Sequence, residues 1–155
     1  MKMAEIFRMA AVFERIVRAG SNPSAGYLLF CPDDQTVLLT RRAKEMSSPG
    51  TWDIPGGRFD DKDDSVEETA AREVHEEIGS LPKNKKLIGK HILPKNEDHK
   101  NEYVIFIQSC PLADKKVWKP TLSDESDNYK WFPIDELPEK VHFDLSWIPK
   151  AVKNK

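Results

Sequence analysis

The stretch that decides the fold is GRFDDKDDSVEETAAREVHEEIGS, residues 57–80. Within it, Ser65 is followed three residues later by Glu68, which is the capping-box pattern that opens helices. The pattern predicts a helix that begins at about Val66. Gly79 is the residue type that most often follows a last helical turn, because it adopts positive φ without strain. We therefore expect an aspartate-rich loop that leads into one well-delimited helix.

The predicted helix carries an apolar stripe beside an acidic one. At about 100° per residue, Glu73, Glu76 and Glu77 fall within about 100° of one another on the helical wheel. Arg72 and His75 are expected to face away from the core. The face next to the glutamates is apolar and is predicted to pack on the core; it consists of Ala70, Ala71, Val74 and Ile78.

The acidic stripe is electrostatically unfavourable by itself. The pairs that Glu73 forms with Glu76 and with Glu77 each destabilise a helix by about 0.2–0.5 kcal/mol. The negative end of the helix dipole adds about 0.3–1 kcal/mol for each carboxylate. Arg72 can offset part of this by pairing with Glu76. A solvated charged face is the ordinary explanation of such a turn, whereas a hard divalent cation, which prefers carboxylate oxygens, would compensate the charge more completely.

The spacing of these residues resembles the Nudix box of the MutT-like diphosphohydrolases, G-x5-E-x7-R-E-U-x-E-E-x-G-U, in which U is apolar. The segment PGTWDIPGG before the box and the strand-like TVLLTRR are also similar to the family. The resemblance covers roughly residues 24–138. It implies a Nudix-type α/β/α sandwich with a mixed β-sheet, and hydrolysis of a diphosphate linkage.

The box departs from the family pattern at three points. Six residues rather than five separate Gly57 from Asp64, Asp64 replaces the usual glutamate, and Ser80 replaces the final apolar residue. We predict a catalytic role for Asp64 by its place in the box. If its shorter side chain does not reach the site, Asp63 or Asp60 could take that role.

The resemblance also implies roles for the other residues of the box. It predicts that Glu73, Glu76 and Glu77 bind Mg²⁺ or Mn²⁺, and that the carbonyl oxygen of Gly57 adds a further ligand. Glu76 is also predicted to be catalytic. Arg72 is expected to orient the carboxylates from the side.

Two candidates lie outside the box. Glu125, in LSDESDNYKW, occupies the stretch in which the family often places a general base or an extra metal ligand, and Asp124 and Asp127 are neighbours that could take the same role. Arg42, at the end of TVLLTRR, is a candidate for contacting a substrate phosphate. An exposed acidic loop and an ordinary strand-end arginine are the structural alternatives.

The predicted substrate is a nucleoside diphosphate linked to another moiety: a nucleotide sugar, ADP-ribose, a dinucleotide or an NTP. The segment GGRFDDKDDSVEETAARE resembles the coenzyme A diphosphatase branch of the family, which is one alternative. A non-catalytic Nudix module that binds a nucleotide is another. An isomerase similar to isopentenyl diphosphate isomerase is disfavoured, because Cys31 has no histidine nearby to complete that family's site.

Composition limits the remaining possibilities. With 155 residues, 39% hydrophobic and 32% charged, the sequence predicts one globular domain over residues 1–155. The formal net charge of −2 offers no basic surface for nucleic acid. No apolar run is long enough for a membrane span, and the two separate cysteines favour a cytoplasmic location. A homodimer is predicted only by analogy with the family.

The remaining segments predict a mixed arrangement of strands and helices, and hence an α+β fold. Residues 4–18 have helical periodicity. GYLLFC and TVLLTRR form a hairpin around PDDQ, and KKLIGKHIL and NEYVIFIQSC are further strands that include Cys110. NYKWFPIDELP predicts a strand followed by a turn and a short helix, and the C-terminus predicts a helix interrupted by Pro149. Trp52 and Ile54 are expected to anchor the loop before the box.

Overall fold

A computed structural model describes residues 23–95 and 101–155. Seven strands and three helices follow one another along these residues. In chain order they are β1 (Ser24–Cys31), β2 (Thr36–Arg42), β3 (Trp52–Asp53), β4 (Gly56–Arg58), α1 (Val66–Ile78), β5 (Lys86–Leu93), β6 (Tyr103–Ser109), α2 (Leu112–Val117), β7 (Ser126–Pro133) and α3 (Ile148–Val152).

The strands form one mixed sheet in the order β3-β2-β1-β6-β5, with β4 paired to β1 and β7 paired to β2. β1 and β6 run parallel, with Ser24 opposite Tyr103 and Phe30 opposite Ser109. The other strand pairs are antiparallel. The parallel pair at the centre is buried on both faces, which explains the continuous apolar runs in β1 and β6.

Side chains that alternate along the strands build two cores, one on each face of the sheet. On one face, Leu29 and Phe106 pack with Val74 and Ile78 of α1. On the other face, Phe30 and the alternate strand positions pack with α3. The structure confirms the predicted α/β/α sandwich with a mixed sheet, because helices cover both faces.

The helix α1 begins and ends where the capping residues predict. The Ser65 hydroxyl accepts a hydrogen bond from the Glu68 N–H at 3.1 Å. Glu68 in turn accepts from the Asp64 N–H at 3.2 Å, one residue before the position expected for a capping box. Gly79 has φ +78°, which favours glycine at this position. Ala71 was predicted to be in the core and is exposed, because it lies at the edge of the apolar stripe; the buried residues are Val66, Thr69, Ala70, Val74 and Ile78.

The predicted hairpin of β1 and β2 and the strands β5, β6 and β7 are confirmed. Cys110 directly follows β6 rather than lying in it. The helix predicted after β7 is wrong, because a turn stands there, and Pro149 lies in the first turn of α3 instead of interrupting a helix. Within the described ranges no helix is long and apolar enough to cross a membrane. The helix predicted for residues 4–18 lies outside these ranges.

Candidate active site

The first glutamate of the acidic stripe lies directly against the backbone of β4. A Cβ atom at Gly57 would come within 2.2 Å of the Glu73 Oε2 atom. A larger residue at position 57 would displace the carboxylate, so glycine allows Glu73 to lie where it does. The pairing of β4 with β1 places Gly57 opposite Ala25, so the sheet fixes the position of the glycine beneath α1.

Glu77 is the most enclosed of the three glutamates. Its Oε2 atom accepts a hydrogen bond from the Gly56 N–H at 2.9 Å, and its Oε1 atom accepts from the hydroxyls of Thr40 and Ser126 at 3.4 Å each. Burial raises the pKa of the Glu77 carboxyl to about 8, and the negative charges of Asp53 and Glu125 act in the same direction. The site therefore disfavours the ionised form of Glu77 when no cation is nearby.

Arg72 connects the acidic stripe with the loop before the helix. Its Nη1 atom donates to Glu73 Oε1 at 3.0 Å and lies 3.4 Å from Glu76 Oε1. The predicted pair with Glu76 is therefore present, although the Glu76 side chain is 57% exposed. Burial raises the pKa of Glu73, an effect that Arg72 opposes. Arg72 therefore contacts two of the three carboxylates, and the orienting role expected of it stays a prediction.

The loop residue that binds Arg72 is Asp63 and not Asp64. The Asp63 carboxylate accepts hydrogen bonds from Arg72 Nε and Nη2 at 2.9 Å each, and from the Thr69 hydroxyl at 2.9 Å. The Asp63 side chain is only 2% exposed. Asp64 is exposed, and its backbone N–H donates to Glu68. The structure therefore brings Asp63 to the box arginine, with the five-residue spacer from Gly57 that the family pattern has, and it does not bring Asp64 there.

The ion pair of Asp63 predicts a loss of stability in acid. Hydrogen bonds from Arg72 lower the pKa of Asp63 to about 2. A carboxyl with a lowered folded-state pKa stabilises the fold above its unfolded pKa of about 4, and this stability is lost as pH falls to about 2. We expect about 2 kcal/mol to be lost across this window, as measured by urea unfolding at pH 5, 4, 3 and 2. The Asp63→Asn variant should lose correspondingly less between pH 4 and pH 2.

Glu125 and Arg42 both line a cleft that Glu73 of the acidic stripe also lines, whereas Glu76 and Glu77 are not among its lining residues. This cleft has a volume of about 940 Å³ and is lined by Glu73, Gly57, Glu125 and Arg42 among others. Asp124 and Asp127, the neighbours of Glu125, are exposed and are not among its lining residues. Asp127 instead pairs with Arg41 at 2.7 Å. Of the three acidic residues, the structure brings Glu125 to the cleft.

The guanidinium of Arg42 is held by its own loop. Nε donates to the Ser47 carbonyl at 2.6 Å, and Nη2 donates to the Ser47 hydroxyl at 2.8 Å. Nη1 lies 3.5 Å from Asp53 Oδ2. The positive charge of Arg42 is therefore fixed at the wall of the cleft, beside a carboxylate.

Asp53 also lines the cleft, although the motifs of the sequence do not predict it as a site residue. Its side chain is 14% exposed, and its Oδ1 atom accepts from the Ile54 N–H at 2.8 Å. Burial raises the pKa of Asp53 to about 7, which Arg42 opposes. One signal in the sequence could have identified this residue, because a carboxylate stands between the two predicted anchors Trp52 and Ile54.

The donor atoms of the site suit a hard divalent cation. In the part of the chain that the structure describes, no three His, Cys, Asp or Glu side chains are already grouped as a metal site. The available donors are nevertheless carboxylate oxygens and a backbone carbonyl, which Mg²⁺ and Mn²⁺ prefer. Of these donors, the Glu73 carboxylate lies directly against Gly57. A cation there would also favour the ionised form of Glu77, which burial disfavours.

Comparison with known proteins identifies relatives of this chain. A model of the NUDIX domain matches residues 20–151. The CMP-5'-(N-acetyl-N-hydroxy-3-aminopropyl)phosphonate hydrolase of Streptomyces rubellomurinus is 28% identical over 117 residues, which are 76% of this chain and 54% of that protein. The ADP-ribose pyrophosphatase of Methanocaldococcus jannaschii is 30% identical over 118 residues, which are 76% of this chain and 65% of that protein. This chain thus spans about half to two thirds of the length of these two relatives.

The fold has counterparts among solved structures. The NUDIX domain of Shewanella oneidensis NrtR, crystallised with ADP ribose, superposes with a TM-score of 0.53 and 21% identity, over 87% of this chain and 85% of that one. At this identity the similarity is one of fold. Nudix hydrolases act on nucleoside diphosphate-linked substrates and generally use divalent metal ions. The domain match over most of the chain, the fold and the residues gathered around Arg72 agree with one another: the chain belongs to the Nudix (MutT-like) family.

Proposed function

We propose that this protein is a metal-dependent Nudix hydrolase that cleaves the diphosphate linkage of a nucleoside diphosphate joined to another moiety. The observation that carries the proposal is the cleft in which Glu73, Gly57 and Glu125 meet the fixed charge of Arg42. Its lining includes carboxylates and backbone groups, and also the guanidinium of Arg42. This arrangement offers separate places for a metal ion and for the phosphates of a substrate.

We assign the metal site to Glu73, Glu76, Glu77 and the carbonyl of Gly57, with Mg²⁺ or Mn²⁺ as the ion. When bound, the cation neutralises phosphate oxygens and makes a water molecule a stronger nucleophile. Arg72 keeps Glu73 and Glu76 on one side of the helix. Asp63 in turn holds Arg72 through two hydrogen bonds. We therefore assign a positioning role to Asp63, in place of the catalytic role predicted for Asp64.

Hydrolysis requires one water and one proton acceptor. The water oxygen forms a bond to one phosphorus, and the bond from that phosphorus to the bridging oxygen breaks. The leaving phosphate keeps the electron pair of the broken bond, so two phosphate monoesters result. We assign the acceptance of the water's proton to Glu125, whose carboxylate is exposed in the cleft. We assign the binding of a substrate phosphate oxygen to Arg42.

The named activities of the relatives support a nucleotide joined to a second group. One relative is called a hydrolase of a CMP-linked phosphonate and another an ADP-ribose pyrophosphatase. In both names a nucleotide, CMP in one and ADP in the other, is joined to a different moiety. We therefore favour this class of compound over free nucleoside triphosphates.

A substrate panel tests the proposal. The wild type is incubated in Mg²⁺ and then in Mn²⁺ with ADP-ribose, UDP-linked sugars, coenzyme A, diadenosine polyphosphates and NTPs, in water enriched in ¹⁸O. We expect one class to be cleaved, with one labelled oxygen in one of the two monoesters. Glu76→Gln should lower the rate about 10²-fold or more, because it removes a charge from the site, and its exposed position should leave the stability unchanged.

Two results would contradict the proposal. Cleavage that persists in EDTA would exclude the metal-dependent reaction. Binding of Mn²⁺ and ADP-ribose without release of a monoester from any compound would favour a nucleotide-binding Nudix module.

A further inference from the structure

The C-terminal turn of α1 is covered by the segment that joins α2 to β7, residues 118–126. Carbonyl groups at a helix end have no partner within the helix, and they concentrate negative charge there. Thr121 donates its N–H to the Ile78 carbonyl at 2.9 Å, and Ser123 donates its N–H to the Glu77 carbonyl at 3.0 Å. The same turn carries two of the clustered glutamates, so these donors offset negative charge where it is greatest.

A tryptophan side chain fixes the beginning of this segment. Trp118 Nε1 donates to the Ser80 carbonyl at 2.7 Å, directly after the end of α1. Its ring makes an edge-to-face contact with Trp131 at 6.2 Å between centroids. Trp118 is not among the residues that line the cleft, so it does not act on a substrate directly.

The end of the same segment carries Glu125 into the cleft. The Ser126 hydroxyl lies 3.4 Å from Glu77 Oε1, and the Glu125 carbonyl accepts from the Ala43 N–H at 2.9 Å. Both the backbone and the carboxylate of Glu77 are therefore in contact with residues 118–126, which include Glu125. The distance between these two acidic groups depends on how this segment is attached to α1.

We propose that Trp118 is a positioning residue, which attaches the 118–126 segment to the end of α1 and thereby sets Glu125 relative to Glu77. This inference rests on the proposed hydrolase function, in which Glu77 binds the metal ion and Glu125 accepts a proton. Residues outside the Nudix box would then fix the position of Glu125 relative to Glu77.

The chain offers a matched control for the test. Trp147 is also half-buried, its Nε1 atom donates to a backbone carbonyl, that of Asp144, at 3.0 Å, and its ring stacks on His91. It does not line the cleft either. Trp118→Phe and Trp147→Phe therefore each remove one indole N–H and keep an aromatic ring. Only Trp118→Phe removes a hydrogen bond to the end of α1.

Two measurements on the full chain decide the matter. In Trp118→Phe, we expect the amide hydrogens of Thr121 and Ser123 to exchange about tenfold faster or more, because their segment opens locally. With ADP-ribose and Mn²⁺ as probe, or the compound that the wild type cleaves fastest, kcat should fall about tenfold while KM changes little. Trp147→Phe should leave both the exchange of these amides and kcat close to the wild-type values.

Other outcomes overturn the inference. Unchanged exchange at Thr121 and Ser123 would show that Trp118 does not hold the segment. If hydrogen exchange became equally faster at all core amides in both variants, Trp118 would contribute only to general stability. If exchange became faster only at Thr121 and Ser123 while kcat stayed unchanged, Trp118 would not act on the active site. If the wild type cleaves no compound, the proposed function fails, and the exchange data alone decide whether Trp118 attaches the segment to α1.

Discussion

Replacing Glu77 with glutamine is expected to lower kcat about 10²-fold or more and at the same time to stabilise the metal-free protein. The loss of activity follows from the metal-ligand role proposed for Glu77, because the variant removes its negative charge. The gain in stability follows from burial, which raises the pKa of Glu77 to about 8. Glutamine has no charge to bury, and its side-chain oxygen can still accept the hydrogen bond from the Gly56 N–H.

The stability effect has a defined pH dependence. A carboxyl with a raised folded-state pKa binds its proton more tightly in the folded protein, so folding stability falls as pH rises from the unfolded pKa, about 4.5, to about 8. Wild type in EDTA should therefore lose about 3 kcal/mol relative to Glu77→Gln between pH 5 and pH 8. Urea unfolding of both proteins at these pH values measures the difference.

Added Mn²⁺ separates the two effects of Glu77. The ion should raise the Tm of the wild type at pH 8 and should raise that of Glu77→Gln far less. Glu67→Gln makes the same chemical change on the first turn of the same helix, at the opposite end from Glu77; it serves as the control and should retain activity within about twofold. A Glu77→Gln variant with near-normal kcat would remove this residue from the metal site. A stability difference that does not grow with pH would contradict its burial as a charged group.

Asp63→Asn is expected to destabilise the protein by about 2–3 kcal/mol, towards the lower end of what breaking a buried ion pair costs, because Arg72 is 31% exposed. The amide oxygen can accept hydrogen bonds from Arg72 and Thr69, but the NH2 group replaces the second acceptor of Arg72, and the negative charge is lost. Arg72 should then move towards Glu73 and Glu76 and change their position. We expect kcat to fall about 10–100-fold, as is typical when a residue that orients metal ligands is changed. Urea unfolding at pH 7 and steady-state kinetics measure the two effects.

Asp64→Asn is the natural comparison, because it makes the same chemical change one residue along the chain. The Asp64 side chain is exposed and is not in contact with Arg72. We expect a change in stability within about 0.5 kcal/mol and no change in kcat beyond about twofold. If Asp64→Asn proved the more damaging of the two, the position of the loop before α1 would have to be different from the one described.

Helices and strands that are specified by residues within or next to them could be predicted from the sequence. The helix α1 begins after Ser65 and ends before Gly79 because both caps are formed by residues next to the helix. The hairpin of β1 and β2 follows from two apolar runs separated by a turn. The acidic stripe follows from helical periodicity alone, and so does the pairing of Arg72 with Glu76. These features need no knowledge of what lies across the fold.

The residues that lie near the acidic stripe but come from other segments can be identified only in the folded chain. Asp63 and Asp64 are adjacent and chemically identical, and the choice between them depends on the path of the loop over Arg72 and Thr69. Asp53 enters the cleft because β3 pairs with β2, which places it opposite Thr40. The contacts of residues 118–126 with the end of α1 join positions about forty residues apart. Spacing along the chain cannot report such contacts, because burial and charge at the site are set by the packing of segments distant in sequence.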